Sequence, residues 1–265
     1  MECFVWHKML IKAFLFVAAN VVAVTNTVSY EPPVLVWPLA PSSPTTEIKL
    51  GVISENNGCS LASGPHTSGL DYPSLKFTGK IGSFVELDLQ LTPWQTDFSF
   101  LVFISPENIT RGVLLHYKQD QQAIQASNDF FGELIVSYNG DTLSGIGFDQ
   151  AGQVVHSVNI PNPFAAQQTG QWYGVALSYD RHQKEMILSL NETSVSTSGS
   201  KKFGLGLPGK LRVGGAFDNA MTRFNGSMTC AQVKQDETRV HHFEIAMQEC
   251  LTAKWPTVTA SVDLM

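Results

Sequence analysis

The sequence predicts an all-β chain folded as an antiparallel sandwich, and three patterns lead to this prediction. After the first thirty residues, almost every apolar run is four to eight residues long, is rich in Val, Ile, Leu and Phe, and ends in a turn-forming residue. Alternation of apolar and polar residues over 83–89 and 98–102 is typical of strands with one solvated face. Helical periodicity is confined to 236–250, where Asp236 is placed to cap a short helix that ends at Cys250.

Twelve strands are predicted in order along the chain. They lie at 34–39, 74–77, 84–89, 98–104, 112–118, 133–138, 143–148, 154–158, 172–179, 185–190, 211–215 and 228–234. Asn139-Gly140-Asp141 predicts a hairpin with a type I′ turn, since Asn-Gly tolerates positive φ angles. The segment 38–68 is rich in Pro, Ser, Thr, Gly and Asn and is predicted to be a long loop.

Residues 1–27 are predicted to be a secretory signal peptide. Lys8 and Lys12 precede an apolar run over 13–24 that only Asn20 interrupts, and small residues then offer cleavage positions. An uncleaved anchor is the alternative. A membrane-spanning helix needs about 20 apolar residues, and no other stretch of the sequence approaches this, so no membrane span is expected. The remaining chain divides into one domain, 28–250, and a tail, 251–265, and is expected to be secreted and extracellular.

Cysteine usage fits an oxidising compartment. Once Cys3 leaves with the signal peptide, Cys59, Cys230 and Cys250 remain. The spacing favours a bridge between Cys230 and Cys250, whose short loop would contribute roughly 3 kcal/mol. Cys59 is then a free thiol, the link in a disulfide-bonded dimer, or a buried and inert side chain.

Three sequons, at Asn108, Asn191 and Asn225, fit the same compartment. None has proline in the middle position, and together they predict at least one N-linked glycan on the surface.

Composition excludes several function classes. The chain has 265 residues, of which 43% are hydrophobic and 15% charged, so it can bury a sizeable core and is not disordered as a whole. The formal net charge of −6 leaves no broad basic face, so no nucleic acid partner is expected.

The segment 224–233, preceded by Leu211-Arg212-Val213-Gly214-Gly215, resembles the C-terminal signature of laminin-G-like, concanavalin A-type jelly-roll domains of secreted animal proteins. Further matching stretches occur in the right order at 36–39, 75–79, 84–87, 98–107 and 172–180, so the resemblance covers about 34–250. It implies an antiparallel jelly-roll β-sandwich with one short C-terminal helix, and a disulfide that joins Cys230 to Cys250. Lys234-Gln235-Asp236 departs from the family pattern, so an atypical C-terminal closure is expected.

The same resemblance implies a calcium site at one rim of the sandwich, built from oxygen ligands. Asp129 follows the strand 112–118 much as the calcium-contributing aspartate does in laminin-G relatives, and Asp218 is the second candidate. The alternative is that both carboxylates accept hydrogen bonds from their own turns.

Catalytic motifs are weak. Glu86, Asp88 and Gln90 share one strand face, as the acids of glucanases of this fold do, but a glutamine cannot shuttle a proton and the two-carboxylate mechanism is then incomplete. His241 and His242 are adjacent, so they cannot chelate one metal ion as a spaced pair would. We therefore expect no enzyme activity.

Sugar recognition needs aromatic platforms, and the candidates are Trp94, Tyr117, Tyr138 and Phe217, unless these rings pack as lids on the core. The sequence favours a secreted, non-enzymatic binding protein of extracellular matrix, adhesion or carbohydrate recognition, with an extracellular protein or glycan as partner. The alternatives are a structural matrix component, for example of a mineralised tissue, and a degenerate glycoside hydrolase of the same fold.

Overall fold

A computed structural model of the chain describes residues 35–37, 39, 55–67, 70–107, 111–123, 129–164, 170–236 and 243–252. The strands among them are β1 (Leu35–Trp37), β2 (Glu55–Asn57), β3 (Ser60–Thr67), β4 (Leu70–Thr78), β5 (Phe84–Leu89), β6 (Phe98–Pro106), β7 (Gly112–Gln119), β8 (Phe130–Tyr138), β9 (Thr142–Asp149), β10 (Val154–Pro161), β11 (Tyr173–Asp180), β12 (Glu185–Leu190), β13 (Thr193–Ser198), β14 (Gly204–Leu205), β15 (Gly209–Val213) and β16 (Asn225–Lys234). A 3-10 turn at Gln121–Ala123 and one α-helix, α1 (Phe243–Thr252), complete the described elements.

The strands form two sheets. In sheet 1 the order is β13-β12-β11-β6-β16-β4-β3, with β1 also paired to β16. In sheet 2 the order is β10-β9-β8-β7-β15-β5-β2, with β14 paired in parallel to β8. All other paired strands are antiparallel. The predicted all-β antiparallel sandwich is therefore confirmed.

The core lies between the two sheets and is rich in aromatic rings. Phe98 of β6 and Phe131 of β8 pack edge to face across it, with ring centroids 5.9 Å apart, and Tyr179 of β11 stacks on Phe98 at 5.8 Å. Edge-to-face and offset pairs of this kind add to the stabilisation that comes from burying the rings. The core therefore joins sheet 1 to sheet 2 and fixes which side chains point outward.

Helix α1 packs on the outer face of sheet 1. Phe243 lies edge to face with Phe103 at 6.1 Å, and Gly174 leaves the space for this ring, since a Cβ at Gly174 would lie 2.6 Å from it. The disulfide between Cys230 and Cys250, with Cα atoms 5.8 Å apart, ties the helix to β16 and confirms the predicted bridge. The predicted short C-terminal helix is confirmed, and it runs over Phe243–Thr252, two residues beyond the predicted end at Cys250. Asp236 lies in a bend, and its predicted role as a cap stays a prediction because residues 237–242 lie outside the described ranges.

Two local predictions need correction. The segment 38–68 contains β2 and β3, so it is not one long loop; β3 pairs only with β4 at the edge of sheet 1 and therefore carries no apolar alternation. The hairpin at Asn139 is confirmed, but the turn is not type I′, because only Gly140 has a positive φ, of 109°. Instead, the Asn139 side-chain oxygen accepts hydrogen bonds from the N–H groups of Asp141 and Thr142.

Several sequence predictions lie outside the described residues. These are the signal peptide 1–27, the sequon at Asn108, the pair His241 and His242, and most of the tail 251–265. The described residues all belong to one compact unit. No helix among them is long and apolar enough to cross a membrane.

Candidate functional site

Charged side chains cross the outer face of sheet 2 in two neighbouring rows. Strand register places Glu86, Arg212 and His116 side by side in one row, and Asp88, Lys210, Lys118 and Glu133 in the next. The residues that alternate with them, such as Leu87, Leu211 and Tyr117, point into the core. The outer face of sheet 2 is therefore a polar surface that carries these seven ionisable side chains.

Glu86 is held by two cations. Lys210 Nζ lies 2.6 Å from one carboxylate oxygen, and Arg212 Nε lies 2.8 Å from the other. Burial acts to raise the pKa of Glu86, but hydrogen bonds and charge from Lys210 and Arg212 outweigh it and lower the pKa. Asp88, in turn, accepts a hydrogen bond from Gln90 at 2.7 Å. Glu86 is therefore ionised and paired with two cations, whereas glycoside hydrolysis requires one carboxylic acid that is protonated.

Arg212 is also held between two aromatic rings. Its guanidinium carbon lies 4.1 Å from the ring centre of Phe84 and 4.3 Å from that of Phe217, and its Nη1 donates to the carbonyl oxygen of Ala216. Cations prefer the electron-rich faces of such rings. Phe217 and Ala216 belong to the loop 214–224, so Arg212 fixes this loop across one end of the outer face.

His116 links the loop 214–224 to Glu133. The side chain is 1% exposed, and its Nδ1 accepts a hydrogen bond from the main-chain N–H of Phe217 at 3.1 Å. The ring proton is therefore on Nε2, which donates to the Glu133 carboxylate at 2.6 Å. This hydrogen bond outweighs burial and lowers the pKa of Glu133. Glu133 is therefore an ionised acceptor on the sheet surface.

Beside Glu133 lies the first cleft, with a volume of about 490 Å³. Polar side chains and a small turn line it, namely Lys118, Gln119, Gln121, Gly132, Glu133 and residues 149–152. Its volume lies within the range of about 300–1,000 Å³ that is usual for small-ligand sites.

Two amide side chains hold the walls of the first cleft in place. Gln150 Nε2 donates to Gln119 Oε1 at 2.8 Å, and Gln119 Nε2 donates to the Ala123 carbonyl at 2.8 Å. Gly132 is an extra residue in β8, where the register with β9 shifts between Phe131 and Glu133. A Cβ at Gly132 would lie 3.0 Å from Gln150 Cα, so glycine permits the close approach of β8 to the backbone at Asp149 and Gln150.

A second cleft, also of about 490 Å³, lies on the other side of the 149–153 turn. Its walls come from the turn, from the start of β10 and from the segment before β14. The lining residues are Asp149, Ala151, Gln153, Val154, Val155, Ser200, Lys201 and Phe203. The Asp149 carboxylate accepts hydrogen bonds from the N–H groups of Ala151 and Gln153, each at 2.9 Å, and so fixes the turn between the two clefts.

The two predicted calcium ligands, Asp129 and Asp218, both take part in hydrogen bonds within the chain. Asp218 accepts a hydrogen bond from the Ala220 N–H at 2.8 Å, which is the turn role that the sequence left open. The main-chain oxygen of Asp129 accepts from Gly204 at 2.8 Å. Within the described ranges, no three His, Cys, Asp or Glu side chains are grouped so that they could hold a metal ion. Calcium binding through Asp129 and Asp218 stays a prediction.

Three of the four aromatic candidates pack as lids on the core. Trp94, Tyr117 and Tyr138 are buried, and the Tyr117 and Tyr138 hydroxyls donate to main-chain oxygens. Phe217 alone is partly exposed, and it stacks on Arg212. The site therefore has few exposed aromatic platforms among the described residues.

Cys59 is a part-buried thiol, and burial raises its pKa to about 11. Its Sγ lies 3.9 Å from Ser83 Oγ, and the side chain packs against the core. This environment does not support a disulfide-linked dimer through Cys59, because such a link needs a reactive, accessible thiolate.

The two described sequons differ in setting. Asn191 lies in the turn between β12 and β13, where its Oδ1 accepts from the Gly174 N–H at 2.7 Å. Asn225 begins β16 and is paired with Thr78 of β4. Glycosylation at either position stays a prediction.

No protein-family model and no curated protein matches this chain. Solved structures do match. The receptor binding domain of botulinum neurotoxin D is 10% identical with a TM-score of 0.53, and the match covers 83% of this chain and 53% of that one. Domain 4 of an extracellular GH43 arabinanase from Geobacillus stearothermophilus, in complex with arabinotriose, is 13% identical with a TM-score of 0.55, over 82% of this chain and 100% of that one.

The serotype D ligand binding domain of botulinum neurotoxin, in complex with N-acetylneuraminic acid, is 9% identical with a TM-score of 0.53, over 82% of this chain and 50% of that one. The chain therefore spans about half of the botulinum domains that it matches. At these identities the likeness shows the β-sandwich fold, and it does not single out the laminin-G-like family.

The residues of the first cleft were missed by sequence reasoning. Gln119, Gly132 and Gln150 belong to no motif, and their grouping depends on the pairing of β7, β8 and β9. Gly132 was the one signal present in the sequence, because an isolated glycine in a strand often marks a bulge.

Proposed function

We propose that this protein is a secreted, non-enzymatic glycan-binding protein and that the first cleft holds the sugar. The observation that carries the proposal is a polar-lined cleft of about 490 Å³ on a fold whose solved neighbours include two sugar complexes. Membership of the laminin-G-like group and a role in extracellular matrix or adhesion belong to the same proposal.

The chemistry of the first cleft suits sugar hydroxyl groups, each of which can donate and accept hydrogen bonds. Glu133 offers an ionised acceptor whose orientation is fixed by His116, and Lys118 offers an exposed donor. The Gln119 and Gln150 amides are held by each other, so the wall that they form is set before a ligand arrives. Such preorganised polar walls reduce the entropy that binding costs.

The compartment is supported by three independent features. These are the predicted signal peptide, the predicted sequons and the disulfide between Cys230 and Cys250, a bond that persists in oxidising surroundings. The non-enzymatic part of the proposal is supported by Glu86, whose carboxylate is paired with Lys210 and Arg212 rather than with a second acid.

The test is binding of the full chain to a glycan array, followed by titration of the best glycan. The double variant Lys118→Ala/Gln121→Ala removes two donors from the first cleft, and we expect at least tenfold weaker binding, about 1.4 kcal/mol. The matched control is Lys202→Ala/Gln183→Ala, which removes the same residue types from exposed positions that do not line the cleft and is expected to bind like the wild type. The proposal fails when no glycan binds, or when the two double variants bind equally well.

Calcium is tested in the same assay by adding calcium or a chelator. Binding that is lost with the chelator and weakened in Asp129→Asn or Asp218→Asn would support the predicted calcium site. Binding that is unchanged would leave the glycan proposal intact and remove calcium from it.

A further inference from the structure

We infer that the two clefts act as one extended site that takes an uncharged oligosaccharide chain lying across the 149–153 turn. This inference rests on the proposed function and names the class of glycan. Asp149 and Ala151 line both clefts, so the two clefts share one rim, formed by the 149–153 turn.

The shared rim is low. At its centre, Ala151 and Gly152 are both exposed and carry at most a methyl group, and the exposed Gln153 follows them at the second cleft. A Cβ placed on Gly152 would meet no atom within 4 Å, so the space above the rim is open. A chain that leaves the first cleft can therefore cross into the second at Ala151 and Gly152 without meeting a bulky side chain from either residue.

The rim is also rigid. The Asp149 carboxylate accepts hydrogen bonds from the N–H groups of Ala151 and Gln153, and the Asp149 N–H donates to the Gln153 carbonyl at 2.9 Å. The Gly152 N–H donates to the Asp149 carbonyl at 3.0 Å. The turn thus keeps one shape, and a ligand that spans it does not have to order it.

The charges that line the two clefts cancel. Lys118 and Lys201 are positive, and Glu133 and Asp149 are negative. A polyanionic glycan would require an excess of cations along its path, which these linings lack. The second cleft adds apolar surface through Val154, which is 58% exposed and suits the C–H faces of a neutral sugar ring.

The experiment measures chain-length dependence with the full chain. Maltose-, cellulose- and chitin-derived ladders of one to six units are titrated by calorimetry, with sialylated and sulfated oligosaccharides as the acidic arm. We expect affinity to rise at least tenfold at the length where the ligand first reaches the second cleft. The double variant Lys201→Ala/Gln153→Ala, which alters only the second cleft, should remove this rise and leave the short ligands unaffected.

A steric block at the rim provides the decisive variant. Ala151→Trp places a large ring between the clefts, and we expect it to reduce the affinity of long ligands to that of short ones. Ile81→Trp, at an exposed position in the turn before β5, is the matched control and should leave the whole length profile unchanged.

The outcomes separate this inference from the proposed function. Short ligands that bind through Lys118 and Gln121, with affinity that does not rise with length, would leave the proposed function standing and overturn the extended site. Tighter binding of the acidic oligosaccharides than of any neutral ladder would overturn the uncharged class. When nothing binds, the proposed function fails and the inference fails with it.

Discussion

The main-chain N–H of Phe217 donates to Nδ1 of His116 at 3.1 Å, although the two residues are 101 positions apart in the sequence. This bond closes the loop 214–224 over sheet 2 and leaves the ring proton on Nε2. That proton is then donated to Glu133, at the edge of the first cleft. A buried histidine thus connects the loop 214–224 to the candidate site through two hydrogen bonds.

His116→Phe keeps the ring and removes both hydrogen bonds. The Phe217 N–H and the Glu133 carboxylate then lose their partner, so we expect a loss of about 1–3 kcal/mol in the free energy of unfolding by urea. Glu133→Gln keeps an acceptor for Nε2–H and should cost less. Equal losses in the two variants would show that the hydrogen bonds of His116 do not matter for stability.

Arg212→Lys keeps the positive charge but removes the planar group between Phe84 and Phe217. We expect a loss of about 1–2 kcal/mol in the free energy of unfolding, because an ammonium group cannot stack on two rings and bind Glu86 at once. Lys210→Ala, at the half-exposed partner of Glu86, is the control and should cost less than about 1 kcal/mol. A larger effect at Lys210 than at Arg212 would contradict the stacking argument.

We expect His156 to make the stability of the fold depend on pH. It is 3% exposed among Phe131, Tyr179 and Phe203, and burial lowers its pKa below 6.5. The unfolded chain therefore binds a proton at this residue before the folded chain does, so stability that is present above pH 6.5 falls as the pH drops below it. Urea unfolding between pH 7.5 and 5.5 should show this fall, and His156→Phe should flatten it. The same slope in both proteins would contradict the assignment.

The Cys59 thiol is expected to react slowly with alkylating reagents in the folded protein. Because its pKa is raised from 9.0 to about 11, its thiolate fraction at pH 7.5 is on the order of 100-fold lower than that of an ordinary thiol. Labelling with iodoacetamide, measured on the Cys59 peptide by mass spectrometry, should therefore be much faster in urea than in buffer. A covalent dimer that disappears in Cys59→Ser would contradict this expectation.

Strands with strong patterns were predictable, whereas β2, β3, β13 and β14 were not. β5 and β12 have the predicted bounds, because their alternation reflects one buried and one outer face. β13, at the edge of sheet 1, is mostly Ser and Thr, and only Val195 packs against the core. β14 is two residues long and is held by pairing with β8, which no local pattern encodes. These strands exist because neighbours supply their hydrogen-bond partners.

The candidate site was less predictable than the fold. The sequence singled out Glu86 and Asp88, but it did not show that Lys210 and Arg212, more than 120 residues later, neutralise Glu86. The disulfide was predictable because three cysteines allow few pairings and a family resemblance pointed to one of them. The cleft near Gly132 depends instead on a bulge and on contacts between separate strands, which only the folded chain brings together.

We expect a substitution of Asp149 to affect both clefts at once. One carboxylate oxygen of Asp149 organises the turn that both clefts use as a wall, so a substitution there would reshape the two halves together. Under the proposed function, changes in glycan preference would then have to arise at the far walls, around Gln121 on one side and Lys201 on the other, while the shared rim stays constant.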